Sequence, residues 1–265
     1  MFSTLFSALL PFSPLLLASG MLVSLGAGFV RGFAGFGYAA LTAAGLSLFV
    51  SPATVVPAVM TLEVVASLSL LRSSLPLVDK PWLRALLIGN FIFLPLGIIA
   101  LAMLPDNLLR LLIGGALLVS AVFLRLRDGQ VFSPSVTLRA SAGVGSGLLN
   151  GLAASGGVLA AMLMSAARVP PAALRATLIV WLLAAGAYTL LWAALLTAGN
   201  GATLLSLVTL KWILLLLPTM WLGVWWGKRS FAKSHHGNFR HQVLNLLIVI
   251  SSLGVVRALW GLLAH

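Results

Sequence analysis

Long apolar runs follow one another along this chain, separated by short polar connectors. A first covers about residues 11–30 and a second, across Arg31-Gly32, about 33–50, with a junction too short for an ordinary loop. Pro52 opens a third, reaching Leu71, at a first-turn position where its missing N–H does no harm. Beyond a connector carrying Arg72, Asp79, Lys80 and Arg84, a fourth run reaches Leu104, with a kink expected at Pro95-Leu96-Gly97. Pro105-Asp106-Asn107 turns into a fifth, which ends near residues 125–129. The order then repeats: a double element over about 140–167, a run from Pro170-Pro171 to about Ala198, a turn at 199–201, a run to Trp226 with Pro218 in the place of Pro95, and a last run over about 243–263. Runs of about 20 residues cross a hydrocarbon core of roughly 30 Å, so the pattern predicts an all-α, polytopic membrane protein.

The repetition is exact enough to align. A constant shift of 119 residues carries Gly26, Gly28, Gly32 and Gly37 onto Gly145, Gly147, Gly151 and Gly156, and residues 50–53 onto 169–172. Each half reads as one Gly-rich broken or hairpin element plus three transmembrane helices, about 9–127 and 136–263, in a single membrane domain.

Composition agrees and removes other classes. Hydrophobic residues make up 61% of the 265 and charged residues 8%, against about a quarter charged in soluble domains. The net charge of +12 would suggest nucleic acid in a soluble protein; here the bases sit in connectors, which is the pattern of cytoplasmic anchoring. There is no cysteine, hence no disulfide or thiolate metal site. Without Lys or Arg in the first thirty residues a signal peptide is not expected, and the amino terminus is read as retained.

Connectors 72–84, 125–139 and 227–240 are basic and expected in the cytoplasm; 105–107 and 198–203 carry no base and are expected outside. Pro52 then starts outside and Pro171 inside, so the two repeats have inverted topology, and both termini are expected outside. The location expected is the cytoplasmic (inner) membrane.

A helix broken at membrane depth must be buried in protein or line a cavity. Two breaks from opposed repeats would aim half-helix N-termini at a shared point, an anion site in outline. The bland alternative makes Gly28/Gly32 and Gly147/Gly151 helix-packing faces. Arg31, expected between the arms of the first element, and its counterpart Asn150 favour a ligand pathway, with a snorkelling Arg31 as the alternative. Glu63 shares a helix face with Met60 and Ser67 and is a candidate proton carrier, or else a structural partner of Arg31 or of a backbone N–H. Its counterpart is Leu182. Arg175 is a candidate gate or a plain cytoplasmic anchor. His235, His236 and His241 are read as a solvated loop rather than a metal site. With four acids in the chain and no nucleophile–base motif, no enzyme is expected, and no cofactor or metal.

At these residues the chain resembles the TauE/SafE family of sulfite and organosulfonate exporters. The match is Gly28-Phe29-Val30-Arg31-Gly32-Phe33-Ala34-Gly35-Phe36-Gly37 and, in the second half, residues 147–157 with Arg175-Ala176-Thr177. The resemblance implies a secondary transporter of a small oxyanion, exporting sulfite, sulfoacetate or a related organosulfonate. It implies substrate-lining roles for Arg31, Gly32, Gly35, Gly37, Asn150, Gly151, Ser155, Gly156 and Gly157. Many members carry three successive glycines in the first motif, where Phe36 and Tyr38 here flank Gly37; the rings reshape the site and make Tyr38 a candidate gate. The implied partners are a small anion and the bilayer, with no nucleic acid and with a homo-oligomer left open. Alternatives are a permease for a carboxylate or a metal cation and, in another class, a membrane-embedded enzyme or a non-transporting subunit.

Overall fold

The computed structural model describes residues 14–47, 49–105, 133–198 and 207–233, with scattered positions between 108 and 122 and at 252. Every regular element there is helical. In chain order these are α1 (Pro14–Ala34), α2 (Tyr38–Ser47), α3 (Pro52–Ser74), a short 3-10 turn Leu75–Leu77, α4 (Lys80–Met103), α5 (Val136–Ala153), α6 (Gly156–Ala166), α7 (Pro171–Ala198) and α8 (Leu207–Lys233). Among the described residues five helices are long and apolar enough to cross a membrane: α1, α3 with the 3-10 turn after it, α4, α7 and α8. The last predicted run, most of the fifth, the turn at 199–201 and the three histidines lie outside the described residues.

Local chemistry fixes the helix ends. Pro52 and Pro171 are first residues of α3 and α7, where the fixed proline φ suits a helix start. Asp79 caps α4 by accepting the Trp82 N–H at 3.1 Å, and Ser135 caps α5 by accepting the Leu138 N–H at 3.1 Å. The last residues of α1 and α2 (Ala34, Ser47) and the first of α3 (Pro52) map by the shift of 119 onto Ala153, Ala166 and Pro171. Two sequence expectations are corrected. The break of the first element falls at residues 35–37, not at Arg31-Gly32, so Arg31 belongs to the last turn of α1. Pro218 does not stand in the place of Pro95. Gly97 packs on Leu148 and Leu152 as Gly227 packs on Phe29 and Phe33, which relates α4 to α8 by 130 residues and sets Pro218 opposite Ile88.

Close pairs give the helix directions. Ser24 Oγ donates to the Leu216 carbonyl at 3.1 Å and Gly32 lies on the backbone of Val224 and Lys228, so α1 and α8 run parallel. Gly143 lies on Ala85, Gly147 on Asn90 and Gly151 on Leu94, so α4 and α5 run parallel. Trp181 Nε1 donates to the Leu86 carbonyl at 3.1 Å and Tyr188 to that of Phe91 at 3.0 Å, which aligns α7 with α4. Because the Asp79 N–H donates to Thr177 at 2.9 Å while Gly186 lies on Met60 and Val64, α3 runs against α7. Arg175 at the start of α7 donates to the Gly32 carbonyl at 2.9 Å and covers the Phe231 ring at 4.5 Å. That places the ends of α1 and α8 beside the start of α7. Thus α1, α3 and α8 run toward one end of the bundle, and α4, α5 and α7 run away from it. That end collects Arg72, Lys80, Arg84, Arg139, Arg168, Arg175, Lys228 and Arg229; Lys211 stands at the other.

The packing is an exchange. The fourth helix of each half lies along the first helix of the other, α4 on α5 and α8 on α1, while α3 and α7 pack on each other at the centre. Glycines permit the two long contacts, since a Cβ at Gly28, Gly89, Gly147 or Gly223 would run into the partner's backbone.

Candidate functional site

Both Gly-rich elements are hairpins. After Ala34 the chain turns through Gly35 and Gly37, at φ +82° and +97°, values open to glycine at little cost, and α2 returns along α1. A Cβ at Gly45 would stand 2.8 Å from Val23. In the second half Ala154, at φ 53°, ends α5, and α6 returns along it: a Cβ at Gly145 would stand 2.8 Å from Leu159. The two turns meet, Phe36 Cβ lying 3.6 Å from the Cβ position of Gly157. Two helix N-termini, of α2 and α6, therefore start close to one buried place.

The charge beside it is wholly internal. Arg31 is 0% exposed and Glu63 1%. Arg31 Nε lies 2.9 Å from Glu63 Oε1, and its Nη2 donates to Ser67 Oγ at 2.5 Å. The other carboxylate oxygen, Oε2, accepts the Ala39 N–H at 3.2 Å. Glu63 thus ties α3 to the last turn of α1 and to the first turn of α2. Arg31 does not snorkel, and one carboxylate serves both structural partners that its sequence position allowed. Met60, Glu63 and Ser67 are all buried, as their shared face implied. A buried guanidinium without such a partner would cost several kcal/mol.

The remaining sequence candidates fall into three groups. Gly32 and Gly151 have their Cα faces against α8 and α4, so a side chain at either would strike helix backbone. Gly35 and Arg175 touch: a Cβ at Gly35 would stand 2.5 Å from Arg175 Cγ, and Arg175 anchors the turn through Gly32. Asn150, Ser155, Gly156 and Gly157 gather at the start of α6. Asn150 is 0% exposed, with neither side-chain polar atom hydrogen-bonded; Ser155 Oγ reaches only the Leu149 carbonyl, at 3.5 Å. Tyr38 is buried at the start of α2 and shares a 3.0 Å hydrogen bond with Ser24. Sequence reasoning missed Ser24 and Asn90, and it placed Ser67 on Glu63's face without giving it a role. Ser67 was visible as Glu63's neighbour one turn on; Asn90, a second fully buried and unpartnered amide, was marked only by being polar inside an apolar run. Among the described residues no cluster of His, Asp or Glu could hold a metal ion.

Five of the described helices, long and apolar enough to cross a membrane, with two glycine turns meeting beside a buried ion pair, define a multi-pass membrane protein with a polar centre. The model of the sulfite exporter TauE/SafE family matches residues 20–255, and the chain belongs to that family. It is accordingly a transporter rather than an enzyme, of a family that carries small anions across a membrane. No curated protein and no solved structure matches the chain.

Proposed function

We propose that this protein exports a small sulfur oxyanion, sulfite, sulfoacetate or a related organosulfonate, across the inner membrane by alternating access between two inverted repeats. The observation that carries the proposal is the meeting of the two helix breaks, Phe36 against Gly157, beside the Arg31–Glu63 pair. Helix N-termini supply N–H donors and the positive end of the dipole without a fixed countercharge, which suits an ion that must be released as well as bound. Opposite directions of α1 and α5 support the inversion, and the exchange packing offers two bodies able to rock against each other.

Glu63 is the proton-coupling residue in this reading. When ionised it engages Arg31 and the Ala39 N–H; when it takes a proton the guanidinium loses its countercharge and turns to the anion. Proton and anion therefore favour each other's binding, the linkage is reciprocal, and the two cross together, so export runs where the outward gradient of the anion exceeds the inward gradient of the proton. Arg175, bridging the Gly32 turn and α7, gates the cytoplasmic mouth; Tyr38, at the start of α2, gates the other approach. The site lining comprises Arg31 with backbone groups of residues 32–37 and 151–157.

Flux of labelled sulfite and sulfoacetate into proteoliposomes, with acetate as the carboxylate comparison, tests this. The expected result is saturable sulfur-oxyanion flux that follows an imposed pH gradient in the wild type and ignores it in Glu63→Gln. Absence of flux for every small anion overturns export; full gradient response in Glu63→Gln removes the proton role.

A further inference from the structure

The two breaks are alike in course and unlike in charge. In the first half Glu63 reaches the start of α2 and accepts the Ala39 N–H, answering a helix end whose first N–H groups have no intrahelical acceptor. The protein supplies α2 with an anion of its own and holds it with Arg31.

The corresponding positions of the second half, 119 residues on, are Val158 and Leu182. Leu182 packs against the start of α6, both Cδ atoms 3.3 Å from the Cβ position of Gly157. It occupies the place of Glu63 and has no charge to offer. Ser155 precedes α6 without a side-chain cap bond, and among the described residues no turn or cap bond uses the N–H of Gly156 or Gly157. A second observation is independent of the helix end. Asn150 stands over it, its Cβ 2.8 Å from the Cβ position of Gly156, wholly buried and with both Oδ1 and Nδ2 unpartnered. Leaving such a group unsatisfied costs about 1–3 kcal/mol, so its retention calls for an explanation, and a ligand at this place would supply one.

Accepting the exporter reading for the class of substrate, we propose that the anion binds first at the N-terminus of α6, on the Gly156 and Gly157 N–H groups and the Asn150 amide, and that Glu63, for as long as it is ionised, closes the N-terminus of α2 to it. The repeats have divided the work: one half carries the fixed carboxylate and its arginine, the other the exchangeable anion. Donors from three residues would match the three oxygens of sulfite or a sulfonate better than the two of a carboxylate. A side chain at Gly156 would strike the Ser146 carbonyl, so glycine there is what brings the start of α6 against Asn150.

Symmetry supplies the test. Leu182→Glu rebuilds at α6 the arrangement of Glu63 at α2, a tethered carboxylate competing with the ligand, and Leu182→Gln matches its size without the charge. Asn150→Asp adds a carboxylate in an isosteric side chain, so a folded variant is available if Leu182→Glu fails to insert. Sulfite binding to the purified full chain is measured by titration calorimetry. The expectation is a Kd at least tenfold higher for Leu182→Glu than for Leu182→Gln, and at least tenfold higher for Asn150→Asp than for the wild type. Equal affinities within both comparisons, or no sulfite binding by the wild type, overturn the proposal. Liposome flux is read separately: a wild type that binds sulfite without moving it ends the export reading and leaves the α6 site standing, whereas flux with unchanged variant affinities does the reverse.

Discussion

Arg31 and Glu63 are each intelligible only through the other. Their counterparts, Asn150 and Leu182, are neutral, so the second half demonstrates that this backbone course does not require an ion pair. Breaking a buried pair from one side leaves an uncompensated charge and costs about 3–5 kcal/mol, while replacing both partners by neutral groups is often close to neutral. Arg31→Asn alone should therefore destabilise by about that amount, and Arg31→Asn with Glu63→Leu, which copies the second half into the first, should recover most of it. Thermal unfolding of the detergent-solubilised protein checks this; a double variant as unstable as the single one would mean that the two charges do not act as a unit. Backbone strain is a second residue-scale asymmetry. The left-handed cap that Gly35 supplies to α1 is supplied to α5 by Ala154, at φ 53°, where a side chain costs about 1–2 kcal/mol. Ala154→Gly should raise the unfolding temperature, whereas Gly35→Ala should lower it, because its Cβ would press on Arg175.

At the scale of the element, glycine spacing alone left two roles open, helix packing and backbone access, and the structure distributes them along the same motif. Gly28, Gly32, Gly147 and Gly151 face partner helices, whereas Gly35, Gly37, Gly156 and Gly157 form or border the breaks. Gly89→Ala, whose Cβ would strike the backbone of Gly143, should push α4 off α5 and cost about 1–3 kcal/mol. Gly26→Ala meets nothing within 4 Å and should stabilise α1 by about 0.5–1 kcal/mol; equal effects in the same unfolding assay would refute the division. Among the described residues the order of the helices and most of their ends were legible in the sequence, because apolar runs and prolines at helix starts are local signals. The place of the first break was not. Arg31-Gly32 looked like a junction because an arginine in an apolar run normally marks an interface, and the carboxylate that lets it stay inside the helix lies 32 residues away in sequence. The α4-to-α8 correspondence was missed for a related reason: the true register is set by contacts of Gly97 and Gly227 with other helices, and shared prolines were a misleading guide to it.

For the whole molecule, the distribution of bases and the course of the helices give two separate arguments about topology, and they meet. The arginines and lysines of the described helices and their flanking turns gather at the end toward which α1, α3 and α8 run, with Lys211 at the other; the positive-inside rule puts the first end in the cytoplasm. The direction of the helices owes nothing to charge, since it follows from which residues touch, yet it carries α1 toward the basic end and α5 away from it. Equivalent positions of the two halves should then face opposite sides of the membrane. Ser51 and Pro170 are such a pair, 119 residues apart, just before α3 and α7, and the chain contains no cysteine to give a background. In intact cells a membrane-impermeant maleimide should label Ser51→Cys, and should label Pro170→Cys only after permeabilisation. Labelling of both from one side would leave the contacts within the bundle untouched and would refute the inverted arrangement in the bilayer on which alternating access depends.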